Sequence, residues 1–365
     1  MSPPVLPKSP PDLHIPQSSS TVTVKVIDST AVLTVPMHTV LKPAYPGHEL
    51  LTAPCLVFLI EHADSRRKLV FDLGMRKDWQ NLAPAFTATI EAAGPGVTIK
   101  IEKDVAEILQ ENGVDVQGGA IESIIWSHWH TDHTGNPALF PSSTSLIVGP
   151  GFKENFVPGY PANPAAPLLE TDFDGRDVNE VSFPALEIGG FRANDYFGDG
   201  SFYILDCPGH TIGHICALAR VTEDTFIFLG ADACHHGGEF RPTEYLPLPE
   251  KINLGPVHDH AATHFCPGSM FEKLSPAANQ PFYRTSEAFA YDSVKADETI
   301  EKLEVFDAVD NVWVVIAHDP SLLEPGMGVD FFPLGDINGW KEKGLAEKTR
   351  WRFLKDFERA AEAAA

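Results

Sequence analysis

The sequence predicts an α+β fold built as a layered sandwich rather than a regularly alternating parallel sheet. Three observations point there. The pattern runs strand-rich, then helical, then strand-rich, then helical, without strict alternation. The apolar runs are short and β-branched, as strands of a packed sheet are. Several of them end on an Asp or a His, as strands do that present polar chemistry at one edge of a rigid scaffold.

The elements follow in chain order. Residues 1–20 are rich in Pro and Ser and are expected to form a disordered leader. Residues 21–365 are expected to form one domain. Thr21–Ile27 alternates and reads as a strand. Leu56–Ile60 and Lys68–Asp72 read as two more, with a hairpin turn at His62–Arg67 between them. Asp104–Asn112 reads as a helix, with Val105, Ile108 and Leu109 on one side and Gly113 past its end. Ile121–Ser127 is a buried strand, followed by strands at Ser145–Val148, Phe202–Leu205, His214–Ala219 and Thr225–Leu229. The rhythm is lost over about 233–296, which is rich in Pro, Gly, His and aromatics and reads as an insertion or lid. A helix at Asp297–Phe306, a strand at Val312–Ala317 and a C-terminal helix from about Gly339 to Arg359 complete the chain.

Composition excludes several classes. Asp plus Glu number 50 against 27 Lys plus Arg, a formal charge of −23, which argues against a nucleic-acid footprint and against attraction to anionic membranes. No apolar run approaches the ~20 residues of a membrane span, and the first ten residues hold no signal-peptide core. Five cysteines are an odd, sparse set, which points to a reducing, cytoplasmic compartment without disulfides. A small molecule is the expected partner, and a homodimer is left open.

The strongest motif is His128-Trp-His-Thr-Asp-His133, directly after a strand. Imidazole and carboxylate are the donors that divalent zinc or iron prefers. His128 and His130 are two apart and project to one side of extended backbone. A turn then brings Asp132 and His133 in from another direction, and Gly135 suits that turn. Further donors close later strands: Asp72 after Leu-Val-Phe, His210 in Cys-Pro-Gly-His, Asp232 in Leu-Gly-Ala-Asp, and His318 after Val-Val-Ile-Ala.

In this ordered set, over roughly residues 22–320, the chain resembles the metallo-β-lactamase superfamily. The resemblance implies a four-layered αββα sandwich with a metal groove along one edge of its packed sheets. It implies two divalent ions, with zinc the expected metal. His128, His130 and His210 would hold one ion. Asp132, His133 and His318 would hold the other, with Asp232 bridging, and Asp72 would support the ligand loop from behind. The stretch Ser127–Asn136 looks closest to the acyl-homoserine-lactone lactonase branch. Those lactonases carry a Tyr three residues past the bridging Asp, where this chain has His235. His235 is therefore expected to donate to the developing oxyanion, and Asp132 to carry a proton to the leaving group.

The implied reaction is opening of a lactone-like or related cyclic ester or amide by a metal-bridging hydroxide. Three alternatives stand beside it: a lactam or cyclic carbamate hydrolase of the xenobiotic-detoxifying kind, a thioesterase for acyl-carrier-protein or glutathione thioesters, and a single-iron sulfur dioxygenase.

Weaker signals remain. His236 is a second candidate beside His235. His258, His260, His264 and Cys266 are either another metal cluster or a polar lid. The aromatics of the 233–296 interval, among them Phe240, Phe271, Phe282 and Phe289, either line a substrate pocket or pack as core. Cys207 and Cys234 read as small buried side chains, His214 as a support for its loop, and Asp172–Asp177 as a solvated loop.

Overall fold

A computed structural model describes residues 5–364 apart from 255–264, 273 and 276. His258, His260 and His264 lie outside the described residues, as does the side chain of Cys266.

Two sheets carry the architecture. The first has seven strands in the order Thr98–Lys100, Val22–Pro36, Leu50–His62, Lys68–Phe71, Ser123–Ile125, Ser145–Val148, Val178–Glu180. Its first four strands pair antiparallel, and from Lys68–Phe71 onward the pairing is parallel. The second has six strands in the order Val312–Val315, Phe226–Leu229, Ile215–Arg220, Phe202–Asp206, Phe191–Asp195, Glu187–Ile188. Only its first pair, Val312–Val315 with Phe226–Leu229, is parallel.

The strand period of two sorts the side chains into layers. Along Phe226–Leu229, Ile227 and Leu229 enter the core between the sheets, where they join Val24, Phe58, Ile125 and Ala217. Phe226 and Phe228 face the other way, onto Ile300, Leu303 and Phe306 of the helix Ser293–Ala308. The outer face of the first sheet, with Val57, Leu59 and Ile124, is covered by Val105, Ile108 and Leu109 of the helix Val105–Glu111. That helix starts in a capping box between Asp104 and Glu107. The layers run helix, sheet, sheet, helix, the αββα sandwich that the family resemblance implies.

Four expectations need correction. Among its described residues, the segment read as a disordered leader carries no helix or strand, yet it packs. Leu13 is buried against the second sheet, Gly189 N donates to Leu13 O at 2.8 Å, and the Arg220 guanidinium donates to Pro16 O. Its prolines forbid regular structure, but two apolar anchors, Leu13 and Ile15, suffice to hold it. The first strand runs to Pro36 because a bulge between Asp28 and Val32, with Thr30 at φ +62°, shifts register without ending the ladder. The C-terminal helix is broken into Leu345–Thr349, a 3₁₀ segment Arg352–Phe357 and Glu358–Ala364. Gly344 at φ +63° prevents helix before Leu345, and Phe353 and Phe357 turn toward Phe282 instead. Asp172 is buried rather than solvated. Burial pushes its carboxyl up to about 7, against the pull of Arg76.

Among the described residues, no helix is long and apolar enough to cross a membrane.

Candidate metal centre

The site lies where strands of both sheets end. Lys68–Phe71 and Ser123–Ile125 run parallel, so Asp72 and the His128–His133 stretch emerge at one edge. Phe226–Leu229 and Val312–Val315 also run parallel, which puts Asp232 and His318 side by side. The sheets are laced together there by backbone bonds, Ile215 N to Ser127 O at 2.8 Å and Leu56 N to Ala317 O at 2.9 Å. Asp132 and His133 sit on the helical turn Thr131–Thr134, which ends at Gly135 with φ +49°. A Cβ at Gly135 would lie 2.4 Å from Leu73 Cβ, so only glycine lets this turn close against the neighbouring strand end.

Two donor groups form, each with its atoms within 4.8 Å of one another. In the first, His210 Nε2 lies 3.2 Å from His128 Nε2 and 3.0 Å from His130 Nδ1. Asp232 Oδ2 lies 3.5 Å from His210 Nε2 and 3.7 Å from His128 Nε2. In the second, Asp232 Oδ1 lies 3.0 Å from His133 Nε2 and 3.1 Å from His318 Nε2. Asp132 Oδ2 completes it, 3.6 Å from His133 Nε2 and 3.5 Å from His318 Nε2. Asp232 thus turns one oxygen to each group.

Hydrogen bonds behind the imidazoles fix their tautomers. His133 Nδ1 donates to Asp72 Oδ2 at 2.8 Å, and His318 Nδ1 donates to Pro54 O at 2.7 Å. Ser127 Oγ donates to Asp72 Oδ2 at 2.8 Å and so accepts from His128 Nδ1 at 2.9 Å. Each proton held outside leaves an Nε2 lone pair facing in. Asp72 also accepts from Ser127 N at 2.7 Å and holds φ +63°, a conformation that short Asp and Asn tolerate. His214 Nδ1 bonds Cys207 O at 2.9 Å and supports the His210 loop as expected.

The electrostatics show what the donors require. Burial, reinforced by neighbouring imidazoles, pushes His128 and His210 well below the ordinary imidazole range; burial likewise takes His130 down to about 4. These three are neutral donors. Burial also opposes charge on His133 and His318, but the carboxylates led by Asp232 push both well above their ordinary value. The same imidazoles hold Asp232 well below the carboxylate range in spite of its burial. Even so, His133 Nε2 and Asp232 Oδ1 are buried without a hydrogen-bond partner. Buried donors left unpaired around a shared carboxylate fit divalent ions, which supply the positive charge that protons otherwise must.

A cleft of about 300 Å³ opens onto these groups. Leu33, Val35 and Leu51 from the first sheet form one wall, and Phe86 and Ile90 of the helix Pro84–Ala93 form another. Trp129 and Phe289 flank His130, with ring centroids at 4.7 and 5.0 Å. The 233–296 interval was expected to supply the pocket aromatics. Of its described residues only His235 and Phe289 reach the cleft. Phe271, Phe282 and Tyr283 pack with Phe357 as a separate core, and Phe240 packs under the second sheet.

His235 is buried at the cleft floor, with Nε2 3.4 Å from Asp232 Oδ2 and Nδ1 3.8 Å from Glu239 Oε2. Neither ring nitrogen has a hydrogen-bond partner. His236 points away. Its Nδ1 accepts from Gly238 N at 3.0 Å, so Nε2 carries the proton and donates to Asp356 at 3.1 Å. That spends the lone pair an ion would need in the neighbouring His48, His236, Asp356 trio. Two contributors were missed from the sequence. Ser127 orders both Asp72 and His128. Cys55 places Sγ 4.0 Å from Asp132 Oδ2, with its thiol pushed up to about 12 by burial. Neither stands in a pattern that marks it.

No family model matches the chain. Among curated proteins, Gamma-lactamase FDB1 of Fusarium pseudograminearum is 43% identical over 362 residues, covering 95% of this chain and 85% of that protein. Metallo-hydrolase mfmC of Annulohypoxylon moriforme is 44% identical over 359 residues, covering 97% of this chain and 92% of that one. The chain belongs to the metallo-β-lactamase superfamily. It is a metal-dependent hydrolase of that superfamily, using a divalent metal and acting on a small molecule. Among solved structures, B. thuringiensis AiiA with N-decanoyl-L-homoserine bound at its active site shares the hydrolase's fold, at TM-score 0.55 and 18% identity over 87% of this chain and 99% of that one.

Proposed function

We propose that this hydrolase opens cyclic esters or amides, lactones and lactams, at a centre of two ions, with zinc the working metal. The observation that carries the reading is the division of Asp232, one oxygen toward each donor group. His128, His130 and His210 would hold one ion, and Asp132, His133 and His318 the other. Two ions so held would supply a hydroxide near neutral pH and would polarise a carbonyl.

The chain's own groups do the rest. The apolar walls exclude water and orient the ring. His235, free at both nitrogens, is placed to donate to the oxygen that gains charge. Asp132 is the more exposed of the two site carboxylates and is assigned the proton for the leaving oxygen or nitrogen. The 43% identical relative named a gamma-lactamase and the lactonase-like fold together favour a ring substrate over a thioester. The full second donor group argues against a single-iron dioxygenase. Cys55, Cys207, Cys216 and Cys234, all buried and unpaired, support a reducing, cytoplasmic setting.

The test is a hydrolysis panel of lactones, lactams and thioesters, with metal content measured on the same sample. Turnover of rings by protein holding two zinc ions per chain is expected. A preparation active with one ion, or active on thioesters alone, would refute the proposal.

A further inference from the structure

We propose that the cleft selects uncharged substrates and rejects any that carry a carboxylate or phosphate on the body attached to the reacting ring. This rests on the hydrolase reading and narrows its substrate class.

Among the described residues lining the cleft there is no Lys and no Arg. Its ionisable members are His130, Asp132, Asp232, His235 and His318, and all five gather at the metal end. Beyond them the walls are aliphatic or aromatic, with Thr89 and Thr131 the hydroxyls. An anionic group on the substrate body would therefore lose its water and gain no partner. The chain's formal charge of −23 adds repulsion at longer range. Sites that accept a substrate carboxylate or phosphate supply an Arg, a Lys or a helix end to meet it. Among its described residues this wall supplies no Arg or Lys, and the first turn of the helix Pro84–Ala93 reaches it only through the apolar side chains of Ala85 and Phe86.

The reaction itself creates a charge. Ring opening adds one water across the C–O or C–N bond. The carbonyl carbon keeps the incoming oxygen as a carboxylate, the leaving oxygen or nitrogen takes one of the water's protons, and the other goes to solvent or, after C–N cleavage, to the freed amine. The substrate enters neutral, and the new carboxylate arises at the metal end, away from the apolar wall. Glutathione and phosphopantetheine thioesters, which carry carboxylates or phosphate, fall outside the class, as do lactams with a ring carboxylate.

The experiment uses the metal-loaded enzyme and three γ-lactones that share one alkyl arm ending in a methyl, a carboxylate or the methyl ester of that carboxylate. The carboxylate should lose ~100-fold in kcat/KM, mainly through KM, and the ester should recover most of it. Thr89 lies on the exposed side of the helix Pro84–Ala93 and lines the cleft. Thr89→Lys should raise the ratio of carboxylate to methyl substrate ~10-fold, and Thr89→Gln should leave that ratio unchanged. Turnover of the carboxylate within threefold of the methyl compound in the wild type would overturn charge selection while leaving the hydrolase intact. Failure to turn over any of the three lactones and their lactam counterparts, with two ions bound, would overturn the hydrolase reading and this proposal with it.

Discussion

Replacing Asp72 by Asn tests whether the second donor group depends on a residue that touches no ion. Asp72 accepts three hydrogen bonds, from Ser127 N, Ser127 Oγ and His133 Nδ1, at 2.7 to 2.8 Å. Asn tolerates the left-handed backbone at φ +63°, so the fold should survive. At the Oδ2 position an amide N–H₂ would face His133 Nδ1. That nitrogen must then accept, which moves the ring proton to Nε2 and removes the lone pair aimed at Asp132 and Asp232. Loss of such a partner costs ~10–100-fold in metal affinity, about 1.4–2.8 kcal/mol. Competition with a chromophoric chelator should show one ion weakened by that factor, and the ion of the His128, His130, His210 group affected less. Asp72→Ala should also lower thermal stability, since alanine adds roughly 1–2 kcal/mol of strain at positive φ. Two ions bound as tightly in the Asn variant as in the wild type would refute the argument.

Other outcomes follow from single residues. Asp232→Ala should lose at least one ion and nearly all turnover, because both donor groups share this carboxylate; two ions per chain by elemental analysis would contradict it. His235→Ala should keep both ions and lower kcat by ~10²–10³, so a wild-type kcat, or a lost ion, would remove His235 from the role assigned to it. Asp307→Asn should cost roughly 3–5 kcal/mol in denaturant unfolding, since it leaves the Arg241 guanidinium buried beside a neutral amide. Burial opposes the Asp307 carboxylate, but Arg241 holds it below the ordinary range. With its folded value below its unfolded one, this pair stabilises fully at neutral pH, and its share is lost only as the pH falls below about 4. Thiol titration of denatured, unreduced protein should count five free cysteines; three or fewer would point to an oxidising compartment.

The donor set was legible in the sequence because each member is a ligand-type residue placed where an apolar run ends. Strand ends are where a two-sheet sandwich must gather its polar side chains. The cleft wall was not legible. Pro84–Ala93 carries one charged residue, so its sequence shows no contrast between a polar and an apolar face. Phe86 and Ile90 become a wall only through the neighbours that tertiary packing gives them. The aromatics of the 233–296 interval misled for a related reason. Phe271, Phe282 and Tyr283 are apolar whether they meet a substrate or Phe357, and composition cannot tell a pocket from a core. His235 and Phe289 reach the cleft because the chain leaves the Asp232 strand at one point and returns past His210 at another, with Tyr291 N bonded to His210 O at 2.9 Å.

Each sheet is drawn from its own half of the chain, residues 22–180 for the first and 187–315 for the second. Both donor groups take members from each half: His128 and His130 meet His210, and Asp132 and His133 meet His318. His318 even rests on Pro54 O, 264 residues away. Neither set of donors is therefore complete until the two halves have docked, and full coordination comes late in folding. Stabilisation gained after the rate-limiting step lengthens the life of the native state and leaves the speed of reaching it unchanged. Where the supply of the ion fluctuates, the metal would then govern how long each folded molecule lasts rather than how many molecules fold.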